Sequence, residues 1–336
     1  DHTFTNVPST ILIAGHDLKF AMPIVEVMKE MGIRVLVDKW DNHNKFDAEI
    51  SKNLLTQADA VWCEWALGNV VWYSQHISDT TPLFVRYHSQ ERKLAYLEES
   101  ERTKIKNISF VSPEIREIAT NLHQTRDIQN ISIIPNALKM KSNLSRKNDN
   151  YSIGFVGLVP KSKRLDLAVE LLEELISYDS RYHLKVAGNM PNHYSWMESR
   201  KDECDFFDSI LGKINSNRVL KDHIHFVGHV DGIENFYLSV GHVISTSDFE
   251  SFHLPLTEGP LHGAAAHTIC WEGADKLYTP LWLRSSIKHM AQEIHRLNNS
   301  NMTSYHANLQ TKSYSDKMRP EFVALSILQT LSEDLT

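Results

Sequence analysis

Glu250 and Glu258, in the stretch DFESFHLPLTEGP, stand where an apolar run (Gly241–Thr246) gives way to a helical pattern expected over Leu254–Ala266. A helix starting there carries Glu258 in its first or second turn and leaves Glu250 on the loop before it. The first turn of a helix has unpaired N–H groups and the positive end of the helix dipole, an environment that suits a phosphate. Carboxylates beside it accept hydrogen bonds from sugar or ribose hydroxyls. The bland reading of the same residues is two solvated carboxylates at a helix start, so the surrounding elements have to decide.

A second stretch, FVGLVPKSKRLDLAVELL, runs from a strand into Gly157, through a loop with Lys161, Lys163 and Arg164, and into a helix from near Asp166. A glycine lets the backbone approach a ligand closely, and cations beside a helix start neutralise a diphosphate. The alternative is a solvated basic loop. A third stretch, WCEWALGNVVWYS, places three of the seven tryptophans beside Glu64 and Tyr73 just after a strand. Aromatic faces with a carboxylate suit a sugar acceptor, although large aromatics also build cores.

The elements that must position these residues alternate along the chain. Ser9–Ala14 is an apolar run ending at Gly15, followed by a helical pattern over Phe20–Met31, a stop at Gly32 and a strand over Ile33–Trp40. Strand, glycine turn, helix and strand make a βαβ unit. AVWCEW, PLFVRYH, NISFVS and ISIIPN continue the pattern as short apolar strands entering polar loops. Lys139–Asn150 has almost no apolar content and reads as an exposed linker. Beyond it the alternation restarts with YSIGFVG, an amphipathic helix over Leu165–Ile176, HLKVAG, HIHFVG and GHVIST. The last helix is expected over Glu321–Leu335, with Leu325, Leu328 and Leu331 as the apolar stripe it buries back across the linker. Two doubly wound α/β halves follow, with ligands at the carboxyl ends of their strands.

At 336 residues, 42% hydrophobic and 23% charged, the chain is long enough for two such domains and has a soluble, globular composition. Its formal net charge of −7 argues against a nucleic-acid partner. No apolar run reaches the roughly 18 residues of a membrane span, and no signal peptide opens the chain. Because the first residue is Asp1 and not Met, the chain is expected to be a piece of a longer, multidomain protein. Cys63, Cys204 and Cys270 are few and scattered, which fits a reducing, cytoplasmic compartment. Among the 18 histidines the densest cluster is His223, His225 and His229. Alternation along a strand puts His223 and His225 on one face, but no acidic or HExxH-like partner accompanies them, and no metal is expected.

Taken in order, these stretches resemble glycosyltransferase family 4. Gly157–Asp166 has the spacing of that family's glycine-to-lysine loop, ESFHLPLTEG resembles its segment with two glutamates, IIPNA resembles its turn before the linker, and FVSPEI resembles one of its strand ends. GHDLKF and WEGADKLYTP also look like bacterial transferases that build surface polysaccharides. The resemblance covers nearly the whole chain. It implies the GT-B fold, α/β with two Rossmann-like domains facing across a cleft: residues 1–148 on the acceptor side, residues 149–318 on the donor side, and residues 319–336 as a helix returning to the first domain. It also implies a retaining sugar transfer from a nucleotide-diphosphate sugar, with no cofactor and no bound metal.

Carried over by position, the resemblance puts Lys163 on the donor diphosphate, Glu250 facing the donor sugar and Glu258 on the ribose hydroxyls. His88, closing PLFVRYH, lies near the acceptor and the reacting sugar. Gly15 and His16 approach the donor phosphates, and Gly157, Arg164, His253 and Leu254 complete the donor side. Glu64 and Tyr73 are the acceptor candidates. Three departures stand out: Leu158 replaces the usual arginine, and Ser251 and His253 replace two glycines. The expected function is transfer to a glycan or lipid-linked acceptor in polysaccharide biosynthesis, in the cytoplasm or at the inner face of the membrane, in association with a membrane or a polysaccharide-assembly complex. The rival is a non-catalytic sugar-nucleotide or glycan-binding module of a larger protein, and a third reading is a sugar-nucleotide epimerase of the same fold.

Overall fold

The computed structural model describes residues 7–123, 125–138 and 149–332. The linker read at Lys139–Asn150 lies, up to residue 148, outside the described residues. The described residues form two compact units: residues 7–123 and 125–138 together with 315–332, and residues 149–314.

The first unit is built on β1 (Thr10–Gly15), β2 (Arg34–Lys39), β3 (Ala60–Glu64), β4 (Leu83–Tyr87), β5 (Ile105–Phe110) and β6 (Asn130–Ile133). They form one parallel sheet in the order β2-β1-β3-β4-β5-β6. Every residue of β1, β3, β4 and β5 is buried. That is why these strands read as near-continuous apolar runs, as parallel strands covered on both faces do. The edge strands β2 and β6 carry exposed positions. The helix Met22–Glu30 covers one face through Ile24, Val25, Val27 and Met28, and Gly32, at φ 88°, turns the chain out of it.

The last described helix, Pro320–Ser332, packs on Met22–Glu30 and shares its hydrophobic cluster with Ile11 and Ile13. Its buried stripe is Val323, Ala324, Ile327, Leu328 and Leu331. Leu328 and Leu331 are buried as expected, and only Leu325 of the expected stripe turns outward, 38% exposed. The physical reason is the helix period: residues 324, 327, 328 and 331 share a face that 325 does not.

The second unit holds β7 (Ser152–Val156), β8 (His183–Ala187), β9 (Ile224–Gly228), β10 (His242–Ser245), β11 (Ala265–Ile269) and β12 (Leu283–Arg284). They are parallel in the order β12-β11-β10-β7-β8-β9. The helix Leu165–Tyr178 buries Leu165, Ala168, Val169, Leu171, Leu172 and Leu175 and packs on the helix Ile287–Asn299.

Two sequence expectations are corrected here. The helix expected over Leu254–Ala266 spans only Pro255–Leu261, and the alanines after it open β11. Pro260 sits inside that short helix and lacks an N–H, and Gly263 takes φ 85°, so the helix stops. His223 does not share a strand face with His225. It ends the helix Arg218–His223, where its ring bonds the carbonyls of Val219 and Ser180.

In both sheets the strand order reverses once beside the first strand, between β1 and β3 in one unit and between β7 and β10 in the other. Ligands bind at the carboxyl ends of strands flanking such a reversal. No described helix is long and apolar enough to cross a membrane.

Candidate active site

In the second unit the reversal brings the loop after β7 against the loop after β10. Gly157, at φ 80°, leads out of β7, and a side chain added there would meet only Lys163 Cε, at 4.0 Å. Glycine is the residue that takes this conformation without strain, and it leaves open space at the strand end. A short 3₁₀ turn, Lys161–Lys163, ends at Arg164, which is itself left-handed at φ 58°. A non-glycine residue pays about 1–2 kcal/mol for that conformation. Its surroundings hold it there: the Thr246 hydroxyl donates to the carbonyls of Lys163 and Arg164 at 3.0 and 2.9 Å, and Asp248 N–H donates to Ser162 at 2.9 Å.

Of the three loop cations only Lys163 turns to the strand end. Its ammonium donates to Glu250, whose same oxygen accepts from the Ser247 hydroxyl at 2.7 Å. Arg164 is committed elsewhere, forked onto Asp166 and bonded to Asp248 at 2.8 Å, and those two carboxylates raise its pKa further. Lys161 pairs with Asp202 at 2.5 Å. The sequence therefore marked the loop, while the folded chain selects one cation from it.

Burial works to raise the Glu250 pKa, but the fields of His253 and Lys163 and the bonds from Lys163 and Ser247 outweigh it, leaving an ionised carboxylate below its ordinary value. His253 is 5% exposed, and its Nδ1, 3.9 Å from Glu250 Oε1, has no hydrogen-bond partner among the described residues. Burial drives its pKa down to about 4 against the pull of Glu250, so the ring is neutral at pH 7. A buried polar atom without a partner is costly, and this one is left facing an ionised Lys–Glu pair.

Leu254 caps the short helix, its carbonyl accepting from Thr257 and Glu258 N–H at 2.9 and 2.8 Å. Glu258 accepts from the Tyr237 hydroxyl at 2.7 Å, and burial raises its pKa.

In the first unit the reversal joins the ends of β1 and β3. Gly15 is explained by packing, because a Cβ there would sit 2.8 Å from the Glu64 carbonyl. His16 lies beside His43, ring centroids 4.8 Å apart. His88 is buried at the end of β4 between Phe20 and Trp65, with centroids at 5.2 and 3.9 Å, and its Nε2 bonds Glu64 Oε1 at 3.0 Å. Trp65 is held in the left-handed region at φ 68°. Such outliers cluster at functional sites.

Glu64 and Tyr73, read as acceptor contacts, are both fully buried. Glu64 lies among Arg86, His88 and Trp62, and Tyr73 donates to Asp38 at 2.7 Å, away from solvent. Their placement makes them supports for the strand ends. Sequence reading missed Arg86 and Glu91. Arg86 had a signal: a cation inside the apolar strand PLFVRYH requires a buried partner. Glu91 had none; it accepts from the N–H groups of Ala66 and His88 at 3.1 and 3.0 Å, a loop contact set by the fold.

Buried neutral histidines make the second unit sensitive to acid. His267, fully buried against Arg284 and His242, is held well below its ordinary value by burial, as His253 is. The unfolded chain takes up these protons near pH 6.5, whereas folded His253 takes its proton only near 4. The stability they confer is intact above pH 6.5 and is lost as the pH falls toward 4, by about 1.4 kcal/mol per pH unit for each histidine at full slope. Glu258, with its raised pKa, acts in the opposite sense. The urea midpoint should therefore fall more steeply between pH 6.5 and 5 in the wild type than in His253→Gln. Equal slopes would exclude His253 from the effect.

No family model and no curated protein matches this sequence. Solved structures do match. HepE of Anabaena, crystallised with UDP-glucose, superimposes with a TM-score of 0.70 at 14% identity, over 96% of this chain and 99% of that one. A UDP-forming α,α-trehalose-phosphate synthase from Burkholderia xenovorans gives a TM-score of 0.70 at 10% identity, over 98% and 99%. TarM of S. aureus gives 0.63 at 17% identity over 81% of this chain, which spans about half of TarM (54%). Two six-stranded parallel sheets with their covering helices thus give this chain the fold of the GT-B glycosyltransferase structures.

Proposed function

We propose that this chain is a retaining glycosyltransferase that moves a sugar from a nucleotide-diphosphate sugar to a glycan or lipid-linked acceptor during polysaccharide assembly, without a bound metal and on the cytoplasmic side of a membrane. The observation that carries this reading is the Lys163–Glu250–His253 cluster at the β7/β10 strand ends, beside the open space at Gly157. As the anomeric bond breaks, negative charge grows on the diphosphate and positive charge on the sugar ring. Lys163 stabilises the first, and a fixed charge of this kind is the largest single contribution expected in such a site. Ionised Glu250 lies on the side of the second. The His253 Nδ1 bonds a sugar hydroxyl, and Glu258, oriented by Tyr237, takes the ribose. The departing phosphate oxygen removes the acceptor proton on the face it leaves. His88, sandwiched by aromatic rings, belongs to the acceptor side.

HepE and TarM were crystallised with UDP-glucose and UDP, so UDP-sugars are the first donors to test. Thermal shift against nucleoside diphosphates identifies the base, since a specific binder stabilises the fold by mass action. Release of UDP from UDP-sugars then tests for turnover. Glu258→Gln is expected to lower UDP affinity by roughly 1.5–3 kcal/mol, the range for hydrogen bonds to charged groups. Equal affinities by calorimetry would remove Glu258 from the ribose site.

One observation favours the second reading, a non-catalytic sugar-nucleotide or glycan-binding module. Arg164 and Lys161 are both held by carboxylates, which leaves Lys163 to meet the diphosphate from this loop. UDP binding without donor turnover on any UDP-sugar would decide for that reading.

A further inference from the structure

A groove of about 320 Å³ in the first unit lies beside the end of β2 and the start of the helix Gly68–His76. Its walls are aromatic: Trp72 and Tyr96, with Phe46 edge-on to Trp72 at 5.6 Å and stacked on Trp40 at 3.8 Å. Its rim is polar and exposed, formed by Asn44, Gln75 and Glu99. The groove is shaped, not incidental. A Cβ on Gly68 would fall 2.2 Å from the His43 carbonyl, so the 41–46 loop lies directly on the helix start, and Asn44 donates to the Tyr96 hydroxyl at 2.9 Å. A row of rings connects it to His88: Trp65 on His88, His16 at 6.3 Å from Trp65, His43 at 4.8 Å from His16, and Tyr96 at 6.1 Å from His43.

We infer that this groove binds sugar rings of an acceptor chain some distance from the reacting end, which makes the acceptor an oligosaccharide. The inference rests on the glycosyltransferase reading above and names its acceptor class. A pyranose has an apolar C–H face that lies on an aromatic ring and a belt of hydroxyls that amides and carboxylates bond. Aromatic walls with an Asn–Gln–Glu rim match both. Among the described residues no Lys or Arg lines the groove, so a phosphate-bearing ligand would meet no cation from them there. The WCEWALGNVVWYS stretch does carry the acceptor chemistry under this inference, through Trp72 and not through Glu64 or Tyr73.

The test uses the full chain on an array of defined oligosaccharides, with tryptophan fluorescence titration of each hit. Binding to at least one chain of several sugars is expected, weakened about tenfold or more in Trp72→Ala, the loss of a stacked aromatic contact. Gln75→Ala and Glu99→Ala change exposed side chains, keep the fold, and are expected to weaken the same hits. No binding to any oligosaccharide, or wild-type affinity in all three variants, overturns the inference. UDP titration of the wild type separates the two readings. Glycan binding that depends on Trp72 without UDP binding keeps the groove and removes the donor site, and UDP binding without glycan binding does the reverse.

Discussion

Lys163→Ala is expected to lower the proposed sugar transfer by roughly 10²–10³, the scale on which one preorganised charge stabiliser acts. The other two cations of the loop are held by Asp166, Asp248 and Asp202, so they are poorly placed to take over. The substitution also strips Glu250 of its ammonium partner inside a site where the carboxylate side chain is 13% exposed. That will raise the Glu250 pKa and cost stability, though less than the roughly 3–5 kcal/mol of a fully buried pair, because Lys163 is 22% exposed and partly screened. Turnover of UDP-sugar should be measured beside the urea midpoint. A stable variant with wild-type transfer would remove Lys163 from the diphosphate.

Glu64→Ala is expected to be among the most damaging single changes to the fold, destabilising the first unit by roughly 3–5 kcal/mol. Glu64 and Arg86 are both 0% exposed. One carboxylate oxygen faces Arg86 Nη1 at 3.4 Å and His88 Nε2 at 3.0 Å, and the other accepts from the Trp62 indole at 3.0 Å. Removing it leaves a guanidinium buried without its counter-charge. The remaining bonds of Arg86, to the Pro135 carbonyl and Asn136 Oδ1, carry no neutralising charge. Glu64→Gln keeps an acceptor and should lose less. The contrast with a surface role is sharp, since surface substitutions fall within about 0.5 kcal/mol. A loss below about 1 kcal/mol in Glu64→Ala, read from denaturant unfolding, would contradict the buried network.

Much of the architecture was legible in the sequence for a physical reason. Parallel strands covered on both faces must be apolar throughout, so STILIA, AVWCEW and NISFVS stood out as short runs ending at polar loops. β11 escaped because its alanines follow a helical pattern without a visible break. The stops were Pro260 and Gly263, whose effect depends on where the preceding turn lies. β12, only two residues long, carries too little pattern to be read.

The sequence by itself determined the residue types at the strand ends: a glycine after β7, a basic loop, two glutamates after β10, a histidine after β4. These follow from local chemistry and from positions along one chain. Only the tertiary structure decided which of them meet. Lys163 and Glu250 are 87 positions apart and come together because the sheet reverses between β7 and β10. The same fold turned Arg164 and Lys161 toward neighbouring aspartates, buried Glu64 against Arg86, and left Trp72 at a groove while Tyr73 went to Asp38. Adjacent residues on a helix point about 100° apart, so which of the two reaches solvent depends on what packs against the helix, and the partner lies elsewhere in the chain.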